Sequence, residues 1–177
     1  FEDISDRRAE HAELSRRARQ DPLTGVLNRS ALRAAVDQAI AAARDRRQPG
    51  VLLFCDLDDF KLVNDRYGHA VGDQVLVTVS RRLRAQLRSS DVIVRFGGDE
   101  FLVIAEEACP ELACDLVDRL REAVAAPMNA EGHRITLTVT VGRACITGEP
   151  GQTTDSLVDE ADRDMYRHKP VRFPAVP

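Results

Sequence analysis

Arg95-Phe96-Gly97-Gly98-Asp99-Glu100-Phe101 decides how this chain is read: two glycines and two acids separate the apolar run Val92-Ile93-Val94 from Phe101-Leu102-Val103-Ile104. Two short β-branched and aromatic runs split by a glycine pair predict a β-hairpin. The adjacent glycines are expected to supply the positive φ of a tight turn, and their missing side chains let a bulky ligand approach the backbone. Asp99 and Glu100 therefore stand at a hairpin tip. Successive strand residues alternate in direction, so at most one of the two acids points into a given face of the sheet. Acids so placed suit a hard cation; an ordinary turn with solvated acids is the other reading these residues allow.

Working outward, Val51-Leu52-Leu53-Phe54-Cys55 is a continuous apolar run, as a strand buried on both faces would be, and it leads into Asp56-Leu57-Asp58-Asp59-Phe60-Lys61. Asp56 thus falls at the carboxyl end of a core strand, a frequent ligand position in α/β sheets. With that strand beside the hairpin, Asp56 and Asp99 are placed to share one or two divalent cations. Oxygen donors without His or Cys favour magnesium, and two metals point to phosphoryl chemistry. A short helix around Leu62-Val63-Asn64 is followed by a break at Arg66-Tyr67-Gly68-His69 and by a long amphipathic helix marked by Val71, Val75, Leu76, Val79, Leu83 and Leu87. Asn64 and Asp73 flank the break. An amide paired with a carboxylate matches the donor and acceptor edge of guanine, while a helix cap is the alternative role for either.

Towards the amino terminus, Leu32, Val36, Ala39, Ile40 and Ala43 form one helical face, with Asn28 or Ser30 as its N-cap. Asp21-Pro22-Leu23-Thr24-Gly25 stops what precedes it, because the residue before proline leaves the α region and Gly25 permits a turn. Residues 1–20 read as a connector helix, in which Ile4, His11 and Ala18 recur every seven residues with Leu14 as a partner, a weak coiled-coil seam. Residues 21–177 read as the globular domain that carries these acids. Towards the carboxyl terminus, Leu112, Leu116, Val117, Leu120 and Val124 mark a helix that ends before Pro127. Ile135, Leu137, Val139 and Val141 alternate with Thr136, Thr138 and Thr140 as one strand with a single core face, and Asp155 to Lys169 is a last helix. The order of elements predicts an α+β sandwich, helices packed on a mostly antiparallel sheet.

The 177 residues, 44% of them hydrophobic, suffice for one domain with a true core. Net charge is −4 and the 25 basic residues form no tract, so charge gives no argument for a nucleic-acid surface. Cys55, Cys109, Cys114 and Cys145 include no C-x-x-C pair and are expected to be reduced, Cys55 and Cys145 as small buried residues of apolar runs. No apolar run reaches a membrane span and no signal peptide is present, so a cytoplasmic location is expected, in a longer protein with an upstream sensor and its own membrane anchor or none.

Several separated motifs, in order and spacing, resemble the GGDEF-family diguanylate cyclases over roughly residues 21–169: Asp21-Pro22-Leu23-Thr24-Gly25 with Asn28-Arg29, Asp56-Leu57-Asp58-Asp59-Phe60-Lys61, Asn64-Asp65, Gly68-His69, Gly72-Asp73 and Gly97-Gly98-Asp99-Glu100-Phe101. The resemblance implies a palm-like fold, a mostly antiparallel five-stranded sheet flanked by helices with an N-terminal signalling helix. It also implies a reaction: two GTP condense to cyclic di-GMP and two pyrophosphates across a homodimer. Asp56, the Leu57 carbonyl, Asp99 and Glu100 would hold magnesium or manganese, two ions per half-site, with Asp99 and Glu100 catalytic. Asn64 and Asp73 would contact guanine. The backbone of Asp59, Phe60 and Lys61, with the Lys61 and Lys169 side chains, would hold the phosphates, and Gly97 and Gly98 would admit them.

Arg88-Ser89-Ser90-Asp91 resembles, by its spacing from Gly97, the family's inhibitory product site, and Arg119 resembles an arginine that serves this site from a neighbouring domain. The chain departs from the family after Lys169, where Pro170-Val171-Arg172-Phe173 replaces the usual glycine and arginine, and at Asp164 and His168, where alanine is usual. The departures motivate an alternative, a non-catalytic module that binds GTP or cyclic di-GMP. The isolated domain is expected to be mostly monomeric at low concentration.

Overall fold

The computed structural model describes residues 18–106, 108 and 110–170. The connector seam at Ile4, His11 and Leu14, along with Arg172, lies outside the described residues. Strands β1 (Leu27–Asn28), β2 (Gly50–Leu57), β3 (Val92–Arg95), β4 (Glu100–Ala105) and β7 (Val139–Ile146) form a five-stranded sheet in the order β1-β3-β4-β2-β7. It is antiparallel except where β1 runs parallel to β3. The short strands β5 (Met128–Ala130) and β6 (His133–Ile135) make a separate hairpin. The helices are α1 (Leu32–Arg46), α2 (Phe60–Tyr67), α3 (His69–Ala85), α4 (Pro110–Ala125) and α5 (Thr154–His168). The expected α+β architecture is thus the observed one.

Because β2 is central and apolar at every position up to Cys55, it feeds two cores. Leu53, Cys55 and Leu57 pack with Phe101 and Val103 beneath Val75, Val79 and Leu120 of α3 and α4. Leu52 and Phe54 pack with Leu102 and Ile104 beneath Val36, Ile40, Leu157 and Met165 of α1 and α5. Asp56 inherits the second face by parity, at the end of the strand where the apolar residues run out. Gly68, at φ 88°, breaks the chain between α2 and α3 as its sequence position suggests. α5 starts in a capping box: Thr153 Oγ1 accepts from Ser156 N, and Ser156 Oγ accepts from Thr153 N.

Three expectations are corrected. The alternating run from Ile135 to Val141 is not one strand: β6 ends at Ile135, β7 begins at Val139, and between them the Thr138 carbonyl accepts from Asp58 N at 2.9 Å. The threonine face is not simply polar and open, since Thr140 is buried. Cys145 is exposed, because on the face of edge strand β7 turned away from α5 the core covers Val139 and Val141 and leaves Arg143 and Cys145 open. Cys55 is buried as expected, and Cys109 lies outside the described residues.

Candidate active site

Three strands bring one row of polar residues to the end of the sheet. In register, Asp56 of β2 stands opposite Glu100 of β4 on one side and Thr140 of β7 on the other. Directly paired residues share a face, so Glu100, Asp56 and Thr140 point the same way. Asp99 precedes Glu100, and its carbonyl accepts from Leu57 N at 3.2 Å, which ties the hairpin tip to the end of β2. Burial, and then the neighbouring charge of Asp56, push the Asp99 carboxyl above the usual carboxylate range. Burial also raises Glu100, followed by repulsion from Asp56, Asp99 and Asp162. The fold has gathered carboxylates that repel one another, an arrangement that favours a cation.

Part of that demand is met by Lys169, which follows α5. Its Nζ donates to Asp56 Oδ1 at 2.6 Å and to Asp58 Oδ1 at 3.2 Å. Burial opposes the charge on Lys169, but the two carboxylates outweigh it and hold the ammonium above its ordinary pKa. Asp58 is fixed from three sides. Thr138 Oγ1 and Thr140 Oγ1 each donate to it at 2.7 Å, and its own N–H bonds to Thr138 O. Burial pushes its carboxyl up, yet the two hydroxyls and Lys169 hold it below the usual range. Gly142 lets α5 come close enough for this contact: a Cβ there would collide with the backbone of Ala161 and Met165.

The hairpin tip corrects the expected turn. Gly97 and Gly98 are not in the left-handed region, whereas Gly25 and Gly68 are. The connection is wider than a two-residue primed turn and is closed by Phe96 N donating to Glu100 O at 2.9 Å. Gly97 is needed for space, because a Cβ would collide with Glu100 Oε2; at Gly98 a Cβ would meet open space. Arg95 braces the tip: its Nε and Nη2 donate to Gly98 O at 3.2 and 2.8 Å.

Neither Asn64 nor Asp73 is a cap. The N-cap of α2 is Asp59, at φ 59°, and that of α3 is Gly68. Asn64 lies between the two helices against Gly72, where a Cβ would collide with its Oδ1, and Asp73 is exposed one residue further on. Lys61 is exposed on the first turn of α2, whose leading N–H groups, Phe60 and Lys61 among them, have no intrahelical acceptor by geometry.

A cavity of about 670 Å³ is lined by Arg88, Asp91 and Arg119 together with Glu106, Asp115 and Asp118. The sequence separates Arg119 from the other two, and α4 brings it to them within one chain. Asp91 is buried: Oδ2 accepts from Arg88 N at 2.8 Å, while Oδ1 has no hydrogen-bond partner.

Among the described residues, no three His, Cys, Asp or Glu side chains form a metal cage by themselves. Magnesium needs only a few carboxylates and completes its shell with water and phosphate, so the hard, mutually repelling donors Asp56, Asp99 and Glu100 fit it chemically. Asp58, Thr138 and Thr140 were missed by sequence reasoning as members of the site. Asp58 repeats the parity of Asp56 and the threonines share one face of their run, which is the signal that points to them. No helix among the described residues is long and apolar enough to cross a membrane.

A family model described as "Diguanylate cyclase, GGDEF domain" matches residues 18–173. A bifunctional diguanylate cyclase/cyclic di-GMP phosphodiesterase, MucR of Pseudomonas aeruginosa, is 41% identical over 89% of this chain and 23% of its own length. Diguanylate cyclase TpbB of the same species is 38% identical over 89% of this chain and 36% of its own. The chain spans about a quarter to a third of such relatives. Among solved structures, a sensory box/GGDEF family protein of Caulobacter crescentus superposes with a TM-score of 0.78 at 35% identity, covering 85% of this chain and 97% of that one. The coiled coil and GGDEF domain of DgcB from Caulobacter crescentus, solved with c-di-GMP, gives 0.83 at 26% identity, covering 92% and 86%.

Proposed function

The chain belongs to the GGDEF domain family of diguanylate cyclases, and from that premise we propose that it condenses two GTP into cyclic di-GMP and two pyrophosphates across a pair of facing domains. The observation that carries the reading is the register of Asp56 against Glu100, with Asp99 tied to Leu57 beside them. Asp56, the Leu57 carbonyl, Asp99 and Glu100 would hold two magnesium or manganese ions, which when bound neutralise phosphate charge and lower the pKa of the attacking 3′-hydroxyl. Each 3′-oxygen bonds to the α-phosphorus of the opposite GTP as the bond to pyrophosphate breaks. Asp99, whose carboxyl burial and Asp56 push upward, is the residue placed to accept the hydroxyl proton.

Around that centre the chain binds and orients. Asn64, seated against Gly72, and the exposed Asp73 suit the amide and amine edge of guanine. The leading N–H groups of α2, Lys61 and Lys169 suit a triphosphate, and open space at Gly98 leaves room for it. We assign the cavity of Arg88, Asp91 and Arg119 to the product: two guanidinium groups for phosphate or guanine, beside a carboxylate fixed by Arg88 N.

Chromatography of products from GTP and magnesium tests the reading. Cyclic di-GMP should form at a rate that rises faster than linearly with protein, and Asp99→Ala should abolish it. Bound nucleotide without product at any concentration would make the domain a receptor instead.

A further inference from the structure

Lys169 presents an ammonium to two carboxylates that are not equivalent. Asp56 has the more exposed side chain, 19%, and has Glu100 across the ladder from it. Asp58 is more enclosed, its side chain 10% exposed, and is anchored by Thr138 and Thr140 hydroxyls whichever way Lys169 lies. The ammonium is nearer the first, 2.6 Å against 3.2 Å. A divalent cation on Asp56, the reading on which this inference rests, cannot share that oxygen with an ammonium at contact distance, because like charges so close repel strongly.

We propose that Lys169 is an internal counter-cation that competes with the divalent cation for Asp56, and that Asp58 is the positioning residue that receives the ammonium when the cation enters. Lys169 sits at the end of α5 with its side chain 28% exposed, and its stem has single-bond freedom to tilt from one carboxylate towards the other. Asp58 has no such freedom. Held by two hydroxyls and its own backbone N–H, it offers a fixed negative charge, so the ammonium is retained at the site mouth when it leaves Asp56. In that position its remaining donors face outward, where a substrate phosphate is expected. The pair thus stabilises the carboxylate cluster when no metal is bound and yields one oxygen when it is.

The test is binding of manganese alone, without nucleotide, followed by the electron paramagnetic resonance signal of the free ion. Lys169→Met should tighten manganese binding about tenfold, since it removes one nearby positive charge at a partly exposed site. Lys169→Gln, which keeps a donor but no charge, should act in the same direction. Asp58→Asn should weaken binding about threefold or more, because the ammonium then pairs with Asp56 alone. In the Lys169→Met background that penalty should shrink to the direct effect of the lost Asp58 charge, whereas a purely structural role for Asp58 predicts the same penalty in both backgrounds. Unchanged or weaker manganese binding in both Lys169 variants, with Asp56→Asn abolishing it in wild type, overturns the competition and leaves the metal reading standing. Binding that Asp56→Asn does not alter, or none by wild type and Lys169→Met at millimolar ion, overturns both. Should Asp58→Asn fail to fold, the two Lys169 variants decide the matter.

Discussion

Arg95 Nη1 lies 3.2 Å from both carboxylate oxygens of Asp21, while the other two nitrogens of the same guanidinium hold the Gly98 carbonyl. One side chain therefore joins the turn that opens the domain to the tip of the hairpin that carries Asp99. Asp21 is fixed in its own turn as well, accepting from Thr24 N at 2.8 Å and Thr24 Oγ1 at 2.6 Å.

Asp21→Asn should destabilise the fold by about 2 kcal/mol, the usual scale for losing hydrogen bonds to a charged partner that is itself mostly buried. Burial pushes the Asp21 carboxyl up, but Thr24 and Arg95 more than offset it and the native pKa is lowered. Its contribution is accordingly complete above the unfolded carboxylate pKa and is lost as pH falls through the lowered native value. Urea midpoints at neutral and acidic pH should converge between wild type and variant as the pH drops. A penalty that stays constant with pH would show that the charge on Asp21 is not what matters.

Gly142→Val should cost about 1–3 kcal/mol, because the atoms it meets are helix backbone and cannot step aside as a side chain would. α5 must move away from β7, and Lys169 moves with it. Thermal unfolding reads the first effect. Loss of the protection that Lys169 gains from its carboxylate partners, followed by the rate of amine acylation at that residue, reads the second.

The fold was legible where periodicity and backbone demand agreed. The apolar β2 run, the α1 and α3 stripes and the break at Gly68 each follow from one local cause. That Asp56 and Asp99 come together was legible because Asp56 closes one apolar run and Asp99 stands just before another. The β6–β7 split was not legible, since alternation continues unbroken from Ile135 to Val141 while the ladder is interrupted by a tertiary contact, Asp58 N to Thr138 O. The role of Gly142 was hidden for the same reason: it leaves room for the backbone of α5, distant in sequence. Gly97 leaves room for the side-chain end of Glu100 within the same hairpin, a contact set by how that side chain lies, and no pattern of residue types records it. Arg119 required the packing of α4 before it could be joined to Arg88 in one cavity.

Arg88→Ala should weaken cyclic di-GMP binding by about tenfold or more, as removal of a bidentate phosphate partner usually does. The backbone N–H of Arg88, not its side chain, holds Asp91 Oδ2, so the loop should survive the change. Isothermal titration measures the binding, and product accumulation from GTP should reach a higher level in the variant. Equal affinity in both proteins would remove the cavity from the regulatory reading.

Gly97→Ala and Gly98→Ala should separate metal from nucleotide. Neither glycine has a positive φ, so alanine adds no backbone strain at either position. At Gly97 the obstacle is the carboxylate end of Glu100, a flexible group that yields at small cost to stability but leaves its place beside Asp56. At Gly98 the new methyl meets open space in the free protein. Both variants should therefore unfold within about 0.5 kcal/mol of wild type. Gly97→Ala should weaken manganese binding in the absence of nucleotide, and Gly98→Ala should leave it unchanged while weakening the binding of a non-hydrolysable GTP analogue. Should Gly98→Ala bind the analogue as wild type does, the triphosphate does not pass over the hairpin tip, and the second glycine serves neither turn nor ligand.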